Sequence, residues 1–165
     1  MLVTTTQLDK SLRQNKDTRR LYRGTFPCDL LPSFSLFPNQ KPAIIVVNKG
    51  SSQTKGTHWV LLFLPRDSRQ AAYYFDSLGN DIDSPSIRAF LCRNSTRGYT
   101  FNWKRIQDSK STNCGRYVMA AAWLLSRNMS PDNVTSFFKT TGNLTENDKR
   151  VRMLLRNMYS PKKKK

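Results

Sequence analysis

The sequence holds a single histidine, three cysteines and only 11 acidic side chains, and each scarcity removes a class of explanation. One imidazole, with no closely spaced Cys or His pairs, supplies no obvious ligand set for zinc, so neither a metal nor a small-molecule cofactor is expected. Cys28, Cys92 and Cys114 are too few, and odd in number, for a disulfide framework; such usage suits a reducing compartment. The longest apolar runs, such as residues 60–64, fall far short of the ~20 residues that cross a bilayer. The chain also passes from Met1 into polar threonines rather than into a basic and then apolar segment, which predicts no signal peptide and no membrane partner.

The shortage of acids has a second consequence. Against 28 Lys and Arg it leaves a formal charge of +17 and a pI near 10.3, which predicts salt-sensitive attraction to a polyanion, with DNA foremost. The candidate contacts are Lys149, Arg152 and Arg156, on one face of a helix whose other face carries Val151, Leu154, Leu155 and Met158, together with Lys162 and Lys163 in a basic tail at 161–165. With 38% hydrophobic residues, positions 1–160 suit one monomeric domain large enough to bury a core.

Apolar spacing predicts the elements. Thr6 with Asp9 three residues on resembles a capping box, and Leu8 and Leu12 share a face, so a short basic helix runs to about Asn15. Four prolines among Phe34, Leu36 and Phe37 make 26–42 an irregular arm on the core. Residues 43–48, 58–64 and 71–75 are dense apolar runs suited to central strands covered on both faces; the brief 65–69 connection makes the last two antiparallel, and a glycine-flanked loop at 49–56 precedes them. Ser84 and Pro85 open a helix that continues to Cys92, and Tyr99, Phe101 and Trp103 alternate with polar residues as a strand with one buried face. Ser130 and Pro131 begin a short helix, and Thr145 with Asp148 caps the last one. The class is α+β: a central, mostly antiparallel sheet packed by helices.

Cys114 opens a small, apolar helix in which Tyr117, Val118, Ala121, Ala122, Leu124 and Leu125 recur at helical spacing, after the cap candidates Ser111, Thr112 and Asn113. A cysteine there meets the positive end of the helix dipole and unpaired backbone N–H groups, both of which favour the thiolate and can cradle an oxyanion. Gly115 leaves the backbone open, and the Gln107 side-chain amide can reach the same point. His58 is the available base, at the mouth of one predicted strand, and Asp76 ends the strand that pairs with it, at the same end of the ladder. Each residue alone has an ordinary reading: packing for Cys114, structure for His58, turn formation for Asp76, core for Trp59. Together they make a nucleophile, base, orienter and oxyanion set.

Thr57-His58-Trp59-Val60, Tyr74-Phe75-Asp76-Ser77-Leu78-Gly79, and Gln107 through Asn113-Cys114-Gly115 resemble the adenovirus protease (adenain) family within the wider clan of SUMO and other ubiquitin-like-protein proteases. Residues 22–26, 43–48 and 141–143 favour the adenovirus side. The resemblance implies a Cys114 nucleophile, a His58 general base, an Asp76 orienter, and an oxyanion hole made by the Gln107 amide with the Cys114 N–H. It implies cleavage of viral precursor polypeptides after glycine, in the host nucleus and virion, with stimulation by DNA and by an activating viral peptide. It offers Cys92 as the activator contact, displaced from the family position, so the activator is either lost or held without a covalent link. Removal of ubiquitin-like tags is the alternative activity, and a DNA-binding protein with a relic active site is the alternative class.

Overall fold

The computed structural model describes residues 3–33, 35–54 and 57–159. Phe34 of the expected arm, Gly56, and the 161–165 tail with Lys162 and Lys163 lie outside them.

Five strands form one sheet whose spatial order follows the chain: β1 (Tyr22–Pro27), β2 (Ala43–Asn48), β3 (Trp59–Leu64), β4 (Ala72–Phe75) and β5 (Tyr99–Phe101). The three central strands are antiparallel neighbours, whereas β1 runs parallel to β2 and β5 parallel to β4. The parallel margins follow from connection length, because the arm and the helix α2 (Pro85–Asn94) are long enough to carry the chain back before the next strand starts.

The central strands are apolar on both faces because both are covered. Ile44, Val46, Leu61 and Phe75 join the core made with α1 (Thr5–Gln14), α3 (Cys114–Ser126), the short α4 (Pro131–Val134) and α5 (Glu146–Tyr159). Ile45, Val47, Leu62 and Tyr74 alternate with them and pack on Ile87, Phe90 and Leu91 of α2. Tyr117, Val118, Ala121 and Ala122 of α3 have no exposed surface, so this helix is held on every side near its start. At ~1.5–3 kcal/mol for each large apolar side chain fully buried, the position of the Cys114 backbone is set by the core rather than by a loop.

Four expectations need correction. Phe26 and Pro27, placed in the irregular arm, close β1, a strand whose Gly24 sits at φ +142° beside a register shift. Thr4, not Thr6, caps α1, exchanging hydrogen bonds with Gln7, while Asp9 accepts instead from Arg13 and Tyr22. Trp103 does not extend a buried strand face; β5 stops at Phe101, and Trp103 is 71% exposed. The Thr145 hydroxyl turns to Asn143, and the Asp148 carboxylate leaves its own helix to bond the segment ahead of α3, so the two form no capping box.

Candidate active site

The sheet register brings the histidine to the aspartate. Leu61 pairs with Phe75, so one step past the ladder Val60 faces Asp76, and His58 lies two residues farther on, a diagonal neighbour. His58 Nε2 donates to Asp76 Oδ1 at 2.7 Å. Because that nitrogen is taken, the other ring nitrogen is the one left to the Cys114 thiol, which lies within hydrogen-bonding reach of the imidazole.

Charge in this cluster is decided by competition. Burial opposes a charged His58, but the hydrogen bond to Asp76 and the neighbouring sulfur outweigh it and raise the imidazole pKa from 6.5 to about 9. Burial likewise pushes the Cys114 thiol up, while His58 and the backbone N–H groups of Trp59 and Gly115 bring it below its ordinary value. The arrangement therefore shifts the pair toward a thiolate beside an imidazolium. The side chain of Asn113, the residue preceding α3, makes no capping bond, so it does not occupy the N–H groups of the first turn.

Asp76 has no exposed surface, and the structure holds it from several directions. Its Oδ1 also accepts from the Leu78 N–H at 2.8 Å, whereas Oδ2 has no partner among the described residues. The Asn102 side chain bridges its main chain, accepting from Asp76 N–H at 2.9 Å and donating to Asp76 C=O at 2.6 Å. Asn102 thus supplies by side chain the ladder pair that β5 lacks after Phe101. Asn102→Ala would leave the Asp76 N–H buried and unpaired, while the Asp76 carbonyl keeps the Gly79 N–H at 2.8 Å, and we expect a loss of about 2 kcal/mol. In scanning calorimetry that is a fall in Tm of roughly 4–8 °C; an unchanged Tm would show that Asn102 does not support Asp76.

Gln107 is 2% exposed and locked at both ends of its amide. Ser77 Oγ donates to Oε1 at 2.5 Å, and Nε2 donates to the Ser111 carbonyl at 2.6 Å. Since a carbonyl only accepts, this pairing dictates which way the amide faces. The N–H groups of Ile106 and Gln107 both reach the Ser77 carbonyl, so the residue after Asp76 carries the segment containing Gln107. Gly79 allows the approach: it sits at φ +74°, and a Cβ there would stand 2.7 Å from Arg105 N. Gly115 lies in a slot, where a Cβ would be 3.1 Å from Val3 Cβ and 3.2 Å from Trp59 Cδ1.

Of the four candidate residues, the structure thus joins His58 to Asp76 and to Cys114, and ties Gln107 to Ser77, next to Asp76, and to Ser111, three residues before Cys114. Ser77 stands within one of the motifs that carry the resemblance and Asp148 reads in sequence as a helix cap, but nothing in the sequence signals the supporting contacts that these two and Asn102 make. Lys149, Arg152 and Arg156 are exposed on α5, where the Arg152 guanidinium donates to the Asp148 carbonyl. Cys92 is exposed on α2, with no contact joining it to the four among the described residues. Among those residues, no group of three or more His, Cys, Asp or Glu could hold a metal ion, and no helix is long and apolar enough to cross a membrane.

No family model and no curated protein sequence matches the chain. Among solved structures it is similar to the ASFV pS273R protease, with a TM-score of 0.64 and 18% identity over 93% of this chain and 66% of that one. A selenomethionine structure of the same protease gives 0.60 and 19% over the same shares. The Xanthomonas campestris effector XopD bound to ubiquitin is more distant, at 0.45 and 17% over 90% of this chain and 85% of that one. The chain spans just under two thirds of the pS273R protease, with which it shares its α+β fold.

Proposed function

We propose that this protein is a cysteine endopeptidase that cleaves viral precursor polypeptides after glycine. The observation that carries the reading is the run from Asp76 through His58 to Cys114, with a 2.7 Å carboxylate–imidazole bond and a thiol whose pKa lies below its ordinary value. The Cys114 thiolate attacks the scissile carbonyl, and the tetrahedral oxyanion is met by the Cys114 N–H and the Gln107 amide. His58 gives its proton to the leaving amine as the thioester forms. Neutral His58 then takes a proton from water, whose hydroxide attacks the thioester; the acid is released and the thiolate and imidazolium are restored. Asp76 keeps the ring oriented throughout. The fold shared with the ASFV pS273R protease supports the choice of a viral protease; action as a monomer in the host nucleus and virion is part of the same proposal.

The purified protein should be offered a fluorogenic peptide ending in Gly-Gly, candidate capsid precursors, and ubiquitin or SUMO carrying the same fluorophore. Faster cleavage of a precursor supports the proposal. Faster release from the ubiquitin-like proteins moves the assignment to an isopeptidase with the same chemistry. No cleavage, with no reaction of Cys114 toward a peptidyl electrophile, leaves a DNA-binding protein with a relic site. An activating peptide that docks near Cys92 would appear as stimulation by precursor fragments.

The +17 charge supports DNA as a partner, through Lys149, Arg152 and Arg156 and through Lys162 and Lys163 of the tail. Duplex DNA affinity should then fall with salt, with log K against log[salt] sloping by about −0.9 for each phosphate neutralised. A flat response in fluorescence anisotropy would reject the partner.

A further inference from the structure

We propose that Asp148, in the first turn of α5, is a positioning residue for the Gln107 amide, acting through Ser111; this role rests on the protease reading above. Asp148 lies 34 residues past Cys114 in the chain, yet its carboxylate gathers the hydroxyls and amide of three residues around it. Ser111 Oγ donates at 3.1 Å to both oxygens, Asn113 Nδ2 donates to Oδ2 at 2.8 Å, and Tyr117 OH donates to Oδ1 at 2.9 Å. These stand three and one residues before Cys114 and three after it. Ser111 is the link that matters, because its carbonyl receives Gln107 Nε2 at 2.6 Å.

The neighbouring residue grips the other end of the same segment. Asn147, with no exposed surface, donates from Nδ2 to the Ile106 carbonyl at 2.7 Å, directly before Gln107. The first turn of α5 therefore clamps the segment from Ile106 to Asn113 at both ends, while Val151, Leu154 and Met158 anchor the helix in the core. A loop carrying an oxyanion donor needs such a clamp, since a displacement of 1 Å in a catalytic group costs about 100-fold in rate. All the side-chain donors Asp148 meets point at a group that only accepts when ionised. An isosteric amide would turn an N–H toward one of them.

The test is Asp148→Asn, alone and combined with Gln107→Ala, assayed on a peptidyl-Gly-Gly aminomethylcoumarin. We expect kcat to fall about 10- to 100-fold with KM within about twofold. We further expect the loss to shrink to within about twofold when Gln107 is already alanine, because both changes disable one device. A kcat within twofold of wild type, or an undiminished loss in the Gln107→Ala background, would overturn the positioning role while leaving the protease intact. Absence of turnover by the wild type, with Cys114 inert toward a peptidyl electrophile, would overturn the protease and this role together. If Asp148→Asn does not fold, Ser111→Ala cuts the same link from its other end and retains the carbonyl. A kcat loss of about 10-fold supports the role, and an unchanged kcat rejects it.

Discussion

Cys114→Ala is expected to abolish peptide hydrolysis, by on the order of 10⁴-fold or more, because no other group can form the thioester. The fold should survive. Cys114 is 6% exposed at the margin of the core, while α3 is held by Tyr117, Val118, Ala121 and Ala122, all fully buried. Removing one sulfur from a helix start should change stability by about 1 kcal/mol. The two effects separate in one preparation: turnover of the Gly-Gly substrate reports the chemistry, and a thermal melt reports the fold. Turnover retained by the alanine variant would end the assignment of Cys114 as nucleophile. Turnover lost together with the melt would point to folding instead.

Asp76→Asn should lower activity and move its pH dependence. The wild-type site needs a thiolate, so activity rises with pH through a thiol ionisation that lies below the ordinary range. It also needs a protonated imidazole to give its proton to the leaving amine, so activity falls as pH passes about 9. These limbs belong to the coupled pair rather than to either residue alone. In the asparagine variant, the side-chain oxygen stays where Oδ1 now accepts from Leu78 N–H and His58, so the ring keeps its orientation. The negative charge is lost. The protonated imidazole then has less support, and the alkaline limb should move down by about 1–3 pH units. Burial is then opposed by the Cys114 sulfur without the carboxylate's help. A pH–rate profile of kcat/KM on both forms measures the shift, and an unmoved alkaline limb would show that Asp76 does not set the charge of His58.

How these residues come together was partly legible in the primary order. The short 65–69 connection implied antiparallel pairing of the two strands it joins, and pairing puts their matching ends, with His58 and Asp76, side by side. The apolar run after Asn113 implied a buried helix starting at Cys114, and α3 begins there. Other elements escaped for physical reasons. Tyr22–Pro27 is a strand because β2 offers it an edge, which its own glycine and proline do not announce. Trp103 continues an alternating pattern, but Asn102 has already ended the ladder by bonding the Asp76 main chain with its side chain.

Local patterns decided what each stretch of this chain can be: helix, strand, reactive thiol, basic face. Whether Gln107 points one way or the other, and whether Asp148 caps its own helix or holds Ser111, depends on partners 30 to 40 residues away, such as Ser77 and the segment before α3. A polar side chain has several partners within reach of its own backbone. Packing of the apolar faces settles which distant group arrives close enough to displace them. The types of residue at the site were therefore written in the primary order, and their hydrogen-bond directions were decided only once the core had formed.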